Sequence, residues 1–152
     1  MKHRKPLTLE FFLPYRLSLL SNTISGMIAD TYADKFGISM PEWRIMMILA
    51  EYPGSSADDV CRRTQIEKSV VSRAVARLKE RRLVTRAISD SDRRRSVLAL
   101  SETGLSVYDE VMPVARHYEE QLLKGLGNQQ KRTLDTLLDA LQQRADALKQ
   151  SQ

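Results

Sequence analysis

A chain of 152 residues, of which 42% are hydrophobic and 28% charged, has the composition of a soluble globular protein with one ordinary core. It contains no uncharged run long enough to span a membrane, and its single cysteine, Cys61, excludes an internal disulfide, so we expect a cytoplasmic protein. The net charge of +5 is uneven, because residues 61–95 hold twelve basic and four acidic residues, a net +8 against −3 elsewhere. A block this basic is typical of a protein that binds a polyanion, and a solvated surface is the alternative.

The first two predicted helices have clear start and stop signals. Apolar residues recur at helical spacing over 14–36, beginning with a proline that suits a first turn, and Gly37 follows as a stop. Ser39 and Glu42 form a capping box for the second helix, which ends at the Pro-Gly pair at 53–54.

A helix-turn-helix is predicted next. Either Ser55 or Ser56 caps a short third helix, with the aspartate three residues later as its reciprocal partner. Residues 64–67 form a tight turn, and a fourth helix runs over 68–81. In such a motif the second helix lies in the DNA major groove. The apolar stripe of the fourth helix consists of Val71, Ala74, Val75 and Leu78.

The exposed side of the fourth helix supplies candidate DNA contacts. Its early polar residues suit base edges and phosphates, and Arg73 and Arg77, four residues apart, share one face opposite the apolar stripe. An arginine there can make a bidentate contact to guanine, although incidental basic residues on a surface helix are the alternative. The candidates are Lys68, Ser69, Val70, Ser72, Arg73 and Arg77.

A hairpin follows this helix. Strand-like runs at 83–88 and 97–100 flank the sequence SDSDRRRS, and a hairpin in this position is a wing whose tip reaches the neighbouring minor groove. Arginines inserted there sense groove width, and Asp92 is placed to hold the guanidinium of Arg94. The wing candidates are Asp92, Arg93, Arg94 and Arg95.

Two further helices complete the chain. Ser101 caps the fifth, Pro113 is expected to bend it, and the glycines at 125 and 127 end it. The first and last helices have apolar stripes outside the compact middle, so we expect them to pack against each other and against a second chain; packing within one chain is the alternative. The stripe of the last helix consists of Leu134, Leu137, Leu138, Leu141, Ala145 and Leu148.

Residues 67–104, EKSVVSRAVARLKERRLVTRAISDSDRRRSVLALSETG, resemble the helix-turn-helix and wing of the MarR family of transcriptional regulators, and the preceding SMPEWRIMMILAEYPGSSADDV also matches. One departure is Arg82, where the family usually has a glycine; a side chain would strain the left-handed turn, so we expect the helix end to differ locally. The family's wing pattern is met by Asp92, Arg93, Arg94, Leu98, Leu100, Ser101 and Gly104.

The resemblance implies a mainly α fold, a winged helix-turn-helix with a two-stranded β wing and dimerisation helices at both ends. Residues 1–152 would form a single domain, with dimerisation helices at 8–37 and 104–150 and a DNA-binding lobe at 38–103. It further implies a homodimer on double-stranded DNA at a pseudo-palindromic operator, usually a repressor, released by a small effector that is often aromatic or phenolic. No cofactor, metal or membrane partner is expected.

The sequence defines the effector site less closely than the DNA-binding surface. Arg16 or Arg44 would pair with an acidic effector beside an apolar wall, although core packing is the preferred explanation for Trp43 and the methionines. The candidates for the effector site are Tyr15, Arg16, Trp43, Arg44, Met46, Met47, His117 and Tyr118.

Three other functions are less favoured by the sequence. A redox switch at Cys61 is one alternative, but redox sensors of the family place their cysteine near the start of the first helix, where this chain has none. An architectural winged-helix binder without ligand control is another. An enzyme is not expected, because two histidines and one cysteine, with no glycine-rich phosphate loop, leave little from which to build an active site.

Overall fold

The computed structural model describes residues 6–89 and 95–152. The chain divides into two compact units, Met1–Ala115 and Arg116–Gln152. The predicted fold class and element order are confirmed over the described ranges, where no helix is long and apolar enough to cross a membrane. In chain order the elements are a 3-10 turn at Leu9–Phe11, α1 at Leu13–Phe36, α2 at Met40–Glu51, α3 at Ala57–Thr64, α4 at Lys68–Glu80, β1 at Val84–Ile88, β2 at Ser96–Leu100, α5 at Glu102–Leu123 and α6 at Asn128–Gln150.

The helix ends follow the predicted caps. Gly37 ends α1 in a left-handed conformation, with φ 62°. The Ser39 hydroxyl accepts from the Glu42 N–H at 3.3 Å, and the Glu42 carboxylate accepts from the Ser39 N–H at 3.4 Å. Of the two serines proposed to cap α3, Ser56 takes the role with Asp59, through bonds of 2.9 and 3.1 Å. Each cap stabilises its helix by about 1 kcal/mol.

The end of α4 differs from the expectation. The chain keeps the left-handed turn, and Arg82 itself adopts it with φ 59°. The Arg82 N–H donates to the Lys79 carbonyl and the Leu83 N–H to the Leu78 carbonyl, both at 2.9 Å, and both leucines are buried. These bonds form a Schellman motif that stabilises the turn despite the side chain at Arg82.

The hairpin is attached to the helix-turn-helix by backbone bonds. β1 and β2 pair antiparallel, from Val84 opposite Leu100 to Ile88 opposite Ser96. The Leu98 N–H donates to the Ser55 carbonyl at 2.8 Å, and the Leu98 carbonyl accepts from the Gly54 N–H at 2.9 Å. β2 is therefore bonded on one edge to β1 and on the other to the turn between α2 and α3.

The core of the first unit lies between α1, α2, α4 and the hairpin. The apolar stripe predicted on α4 is buried throughout. Trp43, which is 3% exposed, stacks between the rings of Tyr32 on α1 and Tyr108 on α5, with centroid distances of 5.4 and 5.8 Å. The interpretation of Trp43 as a core residue is therefore confirmed.

Both α1 and α6 expose several apolar side chains. On α1 of the first unit these include Leu13, Leu17 and Leu20, at 44%, 42% and 51% exposure. In the second unit, no residue of α6 is buried within the described part of the chain. The exposed leucines of α6 are Leu134, Leu137, Leu138, Leu141 and Leu148.

Candidate nucleic-acid interface and effector cavity

The first two turns of α4 present a polar surface. We call Lys68, Ser69, Ser72 and Arg73 the reading face; all four are exposed, and Val70 beside them is half-buried. The reading face lies opposite the buried stripe because hydrophobic and polar residues alternate with a period near 3.6. Its donors are those that contact phosphates and base edges in DNA complexes.

The cation of Lys68 remains available on this surface. Its ammonium lies 3.8 Å from a carboxylate oxygen of Asp58, and both side chains are about four-fifths exposed, at 83% and 79%. An exposed pair at this distance contributes less than about 1 kcal/mol. A phosphate can therefore displace Asp58 at small cost.

Arg77 has an internal partner that the sequence did not predict. Its Nε donates to Oε1 of Glu42 on α2 at 2.7 Å, and the Glu42 side chain is 5% exposed while that of Arg77 is 52% exposed. The guanidinium is thus held on the flank of α4 that faces α2. Its assignment as a DNA contact stays a prediction, and the structure adds a second role that links α4 to α2.

Arg95 also has internal partners. Its Nη2 donates to Oδ2 of Asp59 at 2.7 Å and to the hydroxyl of Ser56 at 3.2 Å, so the base of the wing is attached to the N-terminus of α3. Asp92, Arg93 and Arg94 lie outside the described residues, and their roles stay predictions.

Asp59 is the anionic centre of this attachment. The N–H and hydroxyl of Ser56 hold the pKa of the Asp59 carboxyl well below its ordinary value, with smaller contributions from the guanidinium groups of Arg62 and Arg95. Hydrogen bonds to the charged form favour it, so the carboxylate stays ionised far into the acid range. It can therefore act as cap and as ion-pair partner together.

A small cavity of about 110 Å³ lies within the first unit, between α1, α2 and α5. Three of the predicted effector residues, Trp43, Arg44 and Met47, line it. Tyr15 and Arg16 do not, because they lie exposed at the start of α1. Its full lining consists of Ser25, Ile28, Tyr32, Met40, Trp43, Arg44, Met47, Met112 and Ala115.

The remaining predicted effector residues lie elsewhere. Met46 is fully buried in the core of the first unit and does not line the cavity. His117 and Tyr118 belong to the second unit, where their rings are 6.4 Å apart.

Arg44 brings a cation to the apolar cavity. Its Nη2 is 3.5 Å from the hydroxyl of Ser25. Burial raises the pKa of the Tyr32 phenol, while the charge of Arg44 opposes this shift. The spacing of Ser25, Ile28 and Tyr32, three and four residues apart, could have indicated from sequence that they share one face of α1.

The chain is similar to known transcriptional regulators in both sequence and fold. The sequence model of the MarR family matches residues 36–95. The HTH-type transcriptional repressor IacR of Pseudomonas putida is 29% identical over 107 residues, which are 70% of this chain and 64% of that protein. The crystal structure of a MarR/EmrR family transcriptional regulator from Acinetobacter sp. ADP1 superposes with a TM-score of 0.84 and 27% identity, over 93% of this chain and 99% of that one.

Residues 36–95 thus match the MarR family, and the fold over 93% of the chain is similar to that of a MarR/EmrR family regulator. A second relative, the HTH-type transcriptional repressor NicR of Pseudomonas putida, is 31% identical over 72 residues, 47% of this chain and 46% of that protein. The matched part therefore spans less than two thirds of IacR and of NicR. The MarR match at 36–95 covers the helix-turn-helix, the reading face and β1, and it ends one residue before β2.

The redox alternative for Cys61 stays a prediction. Cys61 is a free, half-buried cysteine on α3 that packs against the core. Among the described residues, no group of histidine, cysteine and carboxylate side chains is arranged to hold a metal ion.

Proposed function

We propose that this protein is a MarR-family regulator that binds double-stranded DNA sequence-specifically as a homodimer, with the reading face in the major groove and the wing in the adjacent minor groove. The observation that carries the proposal is the reading face itself, four exposed donors opposite a fully buried stripe. Two-fold symmetry would place two such helices on a pseudo-palindromic operator, with half-site centres about 10 base pairs apart. The relatives named as repressors support repression.

The DNA-binding role is tested with one pair of variants. Arg73→Ala removes a reading-face donor, and Arg132→Ala removes an exposed arginine on the side of α6 opposite its leucines. We expect Arg73→Ala to cost about 1–3 kcal/mol on a duplex that the wild type selects from a random library, and far less on a scrambled duplex. Arg132→Ala should match the wild type on both.

The measurement is a fluorescence-anisotropy titration at one fixed salt concentration. Equal losses on the selected and scrambled duplexes would remove the base-reading role of Arg73. A wild type that binds both duplexes equally would favour the architectural alternative.

The homodimer is supported by the exposed leucines of α1 and α6. Leucine stripes on helices of a soluble chain are normally buried, and patches of several hundred Å² mark interaction sites. A second copy of the chain offers the same apolar stripes in a symmetric arrangement, which is the commonest form of oligomer.

We further propose that the effector is a small aromatic acid that enters the cavity and pairs with Arg44. The cavity has an apolar wall with one cation, as such a ligand requires. Its volume of about 110 Å³ is smaller than the roughly 150 Å³ that holds a benzene ring. The ligand must therefore separate α1 from α2, and it shifts the protein toward a state that binds DNA differently.

The effector role is tested with a panel of aromatic acids and their thioesters, each acid beside its uncharged amide, added to the protein–DNA complex. We expect at least one acid to release DNA from the wild type and from Arg16→Met but not from Arg44→Met. Release that depends on Arg16 instead would refute the assignment of Arg44. If no compound releases DNA, the effector proposal fails and the DNA-binding proposal stands.

A further inference from the structure

Glu42 holds together three elements of the first unit. Its carboxylate is almost fully buried at the N-terminus of α2, and both oxygens have partners. Oε2 accepts from the N–H of Ser39, which follows the end of α1, and Oε1 accepts from Nε of Arg77 on α4. A buried carboxylate is costly unless it is paired in this way.

Arg81, one helical turn after Arg77, extends the same cluster. Its Nη1 lies 4.0 Å from Oε2 of Glu42 and donates to the Gly37 carbonyl at 3.1 Å, while Nη2 donates to the Phe36 carbonyl. These carbonyls belong to the last turn of α1, where the helix dipole favours a cation. Glu42, Arg77 and Arg81 thus connect the end of α1, the start of α2 and the second half of α4.

We propose that Glu42, Arg77 and Arg81 form an orienting junction that sets the direction of α4. In place of the direct contact expected from the sequence, Arg77 would support DNA reading through Glu42 without touching DNA. This inference rests on the proposed DNA binding. Arg77 is a positioning residue here, because its Nε is committed to a buried carboxylate on another helix.

The geometry of α4 explains why the junction matters. Arg77 lies nine residues after Lys68, which is about 14 Å along the helix at 1.5 Å per residue. A tilt of about 10° at the junction would move Lys68 by about 2 Å, which is enough to break a hydrogen bond to a base or a phosphate. The junction therefore controls contacts that are made at the other end of the helix.

On both α1 and α2, residues of the junction are close in sequence to residues that line the cavity. Glu42 directly precedes Trp43 and Arg44, which line the cavity, and Tyr32 lies one turn before Phe36 on α1. A ligand that separates α1 from α2 would act directly on the elements that the junction holds.

The test is a double-mutant cycle with a salt titration. Glu42→Gln keeps the size and the cap acceptor but removes the charge, and Arg77→Met removes the guanidinium. We expect each single variant to weaken binding to the library-selected duplex by about 10- to 100-fold and the double variant to be no weaker than the worse single variant. Arg77→Met should keep the wild-type slope of log K against log salt concentration.

Lys68→Met is the matched control, since it also replaces a cation by methionine. A lost phosphate contact reduces the slope by about 0.9 per protomer, and we expect this for Lys68→Met. Arg77→Lys, which retains a cation for Glu42, should recover most of the affinity. If Arg77→Met does not fold, Arg77→Lys and Glu42→Gln still complete the comparison.

Two results would overturn the junction. In the first, Arg77→Met reduces the affinity for the selected duplex by the same factor with and without Glu42→Gln, and it also reduces the salt slope. A residue that contacts DNA directly would behave in this way. The other is full affinity in both single variants. Failure of the wild type to prefer the selected duplex over a scrambled one would instead overturn the proposed function, and the role of the junction with it.

Discussion

The first turn of α5 packs so closely on the chain before β1 that Gly104 has no room for a methyl group. A Cβ added at this position would lie 2.1 Å from the Leu83 carbonyl oxygen and 3.4 Å from Cδ2 of Leu100. The Leu83 oxygen already accepts from the Ser101 N–H at 3.0 Å, and the Ser101 hydroxyl donates to the Arg82 carbonyl at 2.6 Å. Gly104→Ala must therefore move backbone on at least one side.

The size of the effect follows from these distances. The Cβ needs a separation of more than about 3 Å from the oxygen, so the helix must shift by about 1 Å. Such overpacking costs about 1–3 kcal/mol, and loss of the Ser101 bond adds about 1 kcal/mol. We expect Gly104→Ala to lower the free energy of unfolding by about 2–4 kcal/mol, or the melting temperature by roughly 4–16 °C.

The assay is chemical denaturation followed by far-ultraviolet circular dichroism, at one protomer concentration because dimerisation contributes to stability. Gly26→Ala on α1 is the matched control, since an added Cβ there meets no atom within 4 Å among the described residues. It should raise the free energy of unfolding by about 0.5–1 kcal/mol, as alanine does in a helix interior. A Gly104→Ala protein as stable as the wild type would refute the close packing.

Three other predictions concern the helix end, the dimer and the wing base. Arg82→Gly should raise the free energy of unfolding by up to about 1 kcal/mol, because glycine adopts the left-handed conformation without strain. Chemical denaturation measures this change, and a lower free energy of unfolding in the variant would contradict backbone strain at Arg82. Leu137→Glu should convert the dimer into monomers in sedimentation equilibrium, whereas Gln143→Glu, on the opposite side of α6, should not. If both variants remain dimeric, the leucine stripe of α6 is not part of the interface. Because the folded pKa of Asp59 lies below the unfolded value of about 3.9, its stabilisation is present above that pH and is lost as the pH falls further. The stability difference between the wild type and Asp59→Asn should therefore be constant from about pH 5 to 7 and shrink below about pH 4; a difference independent of pH would contradict the shifted pKa.

Local signals predicted the helices because the interactions that end a helix lie close in sequence. Ser39 with Glu42, and Ser56 with Asp59, are three residues apart, and the stop at Gly37 acts within one turn. The buried stripe of α4 follows from its period. These features need no knowledge of the rest of the fold.

The partners of two arginines could not be predicted in the same way. Arg77 binds a carboxylate 35 residues earlier, and Arg95 binds Asp59, 36 residues earlier. A basic residue near a proposed DNA surface has the same sequence pattern whether it contacts DNA or a neighbouring helix. Only the packing of α2 and α3 against α4 and the wing distinguishes these roles.

At the end of α4, the sequence indicated strain at Arg82 but did not predict that the left-handed turn would be kept. The glycine expected at this position is absent, and the turn survives because Leu83 is anchored in the core and bonded to the Leu78 carbonyl. Packing that is remote in sequence overrides the local preference of one residue.

The bonds between Leu98 and the turn at Gly54 and Ser55 join β2 rigidly to the helix-turn-helix. Because the N–H and the carbonyl of Leu98 are both used there, β2 cannot swing away from α3 without losing two backbone bonds. Under the proposed function, these bonds fix the position of β2 relative to the reading face, so a duplex whose shape fits this arrangement, or deforms to it at low cost, should bind best. The elastic energy of that deformation depends on the base steps involved, so the stiffness of an operator would contribute to its affinity even at base pairs that no side chain touches.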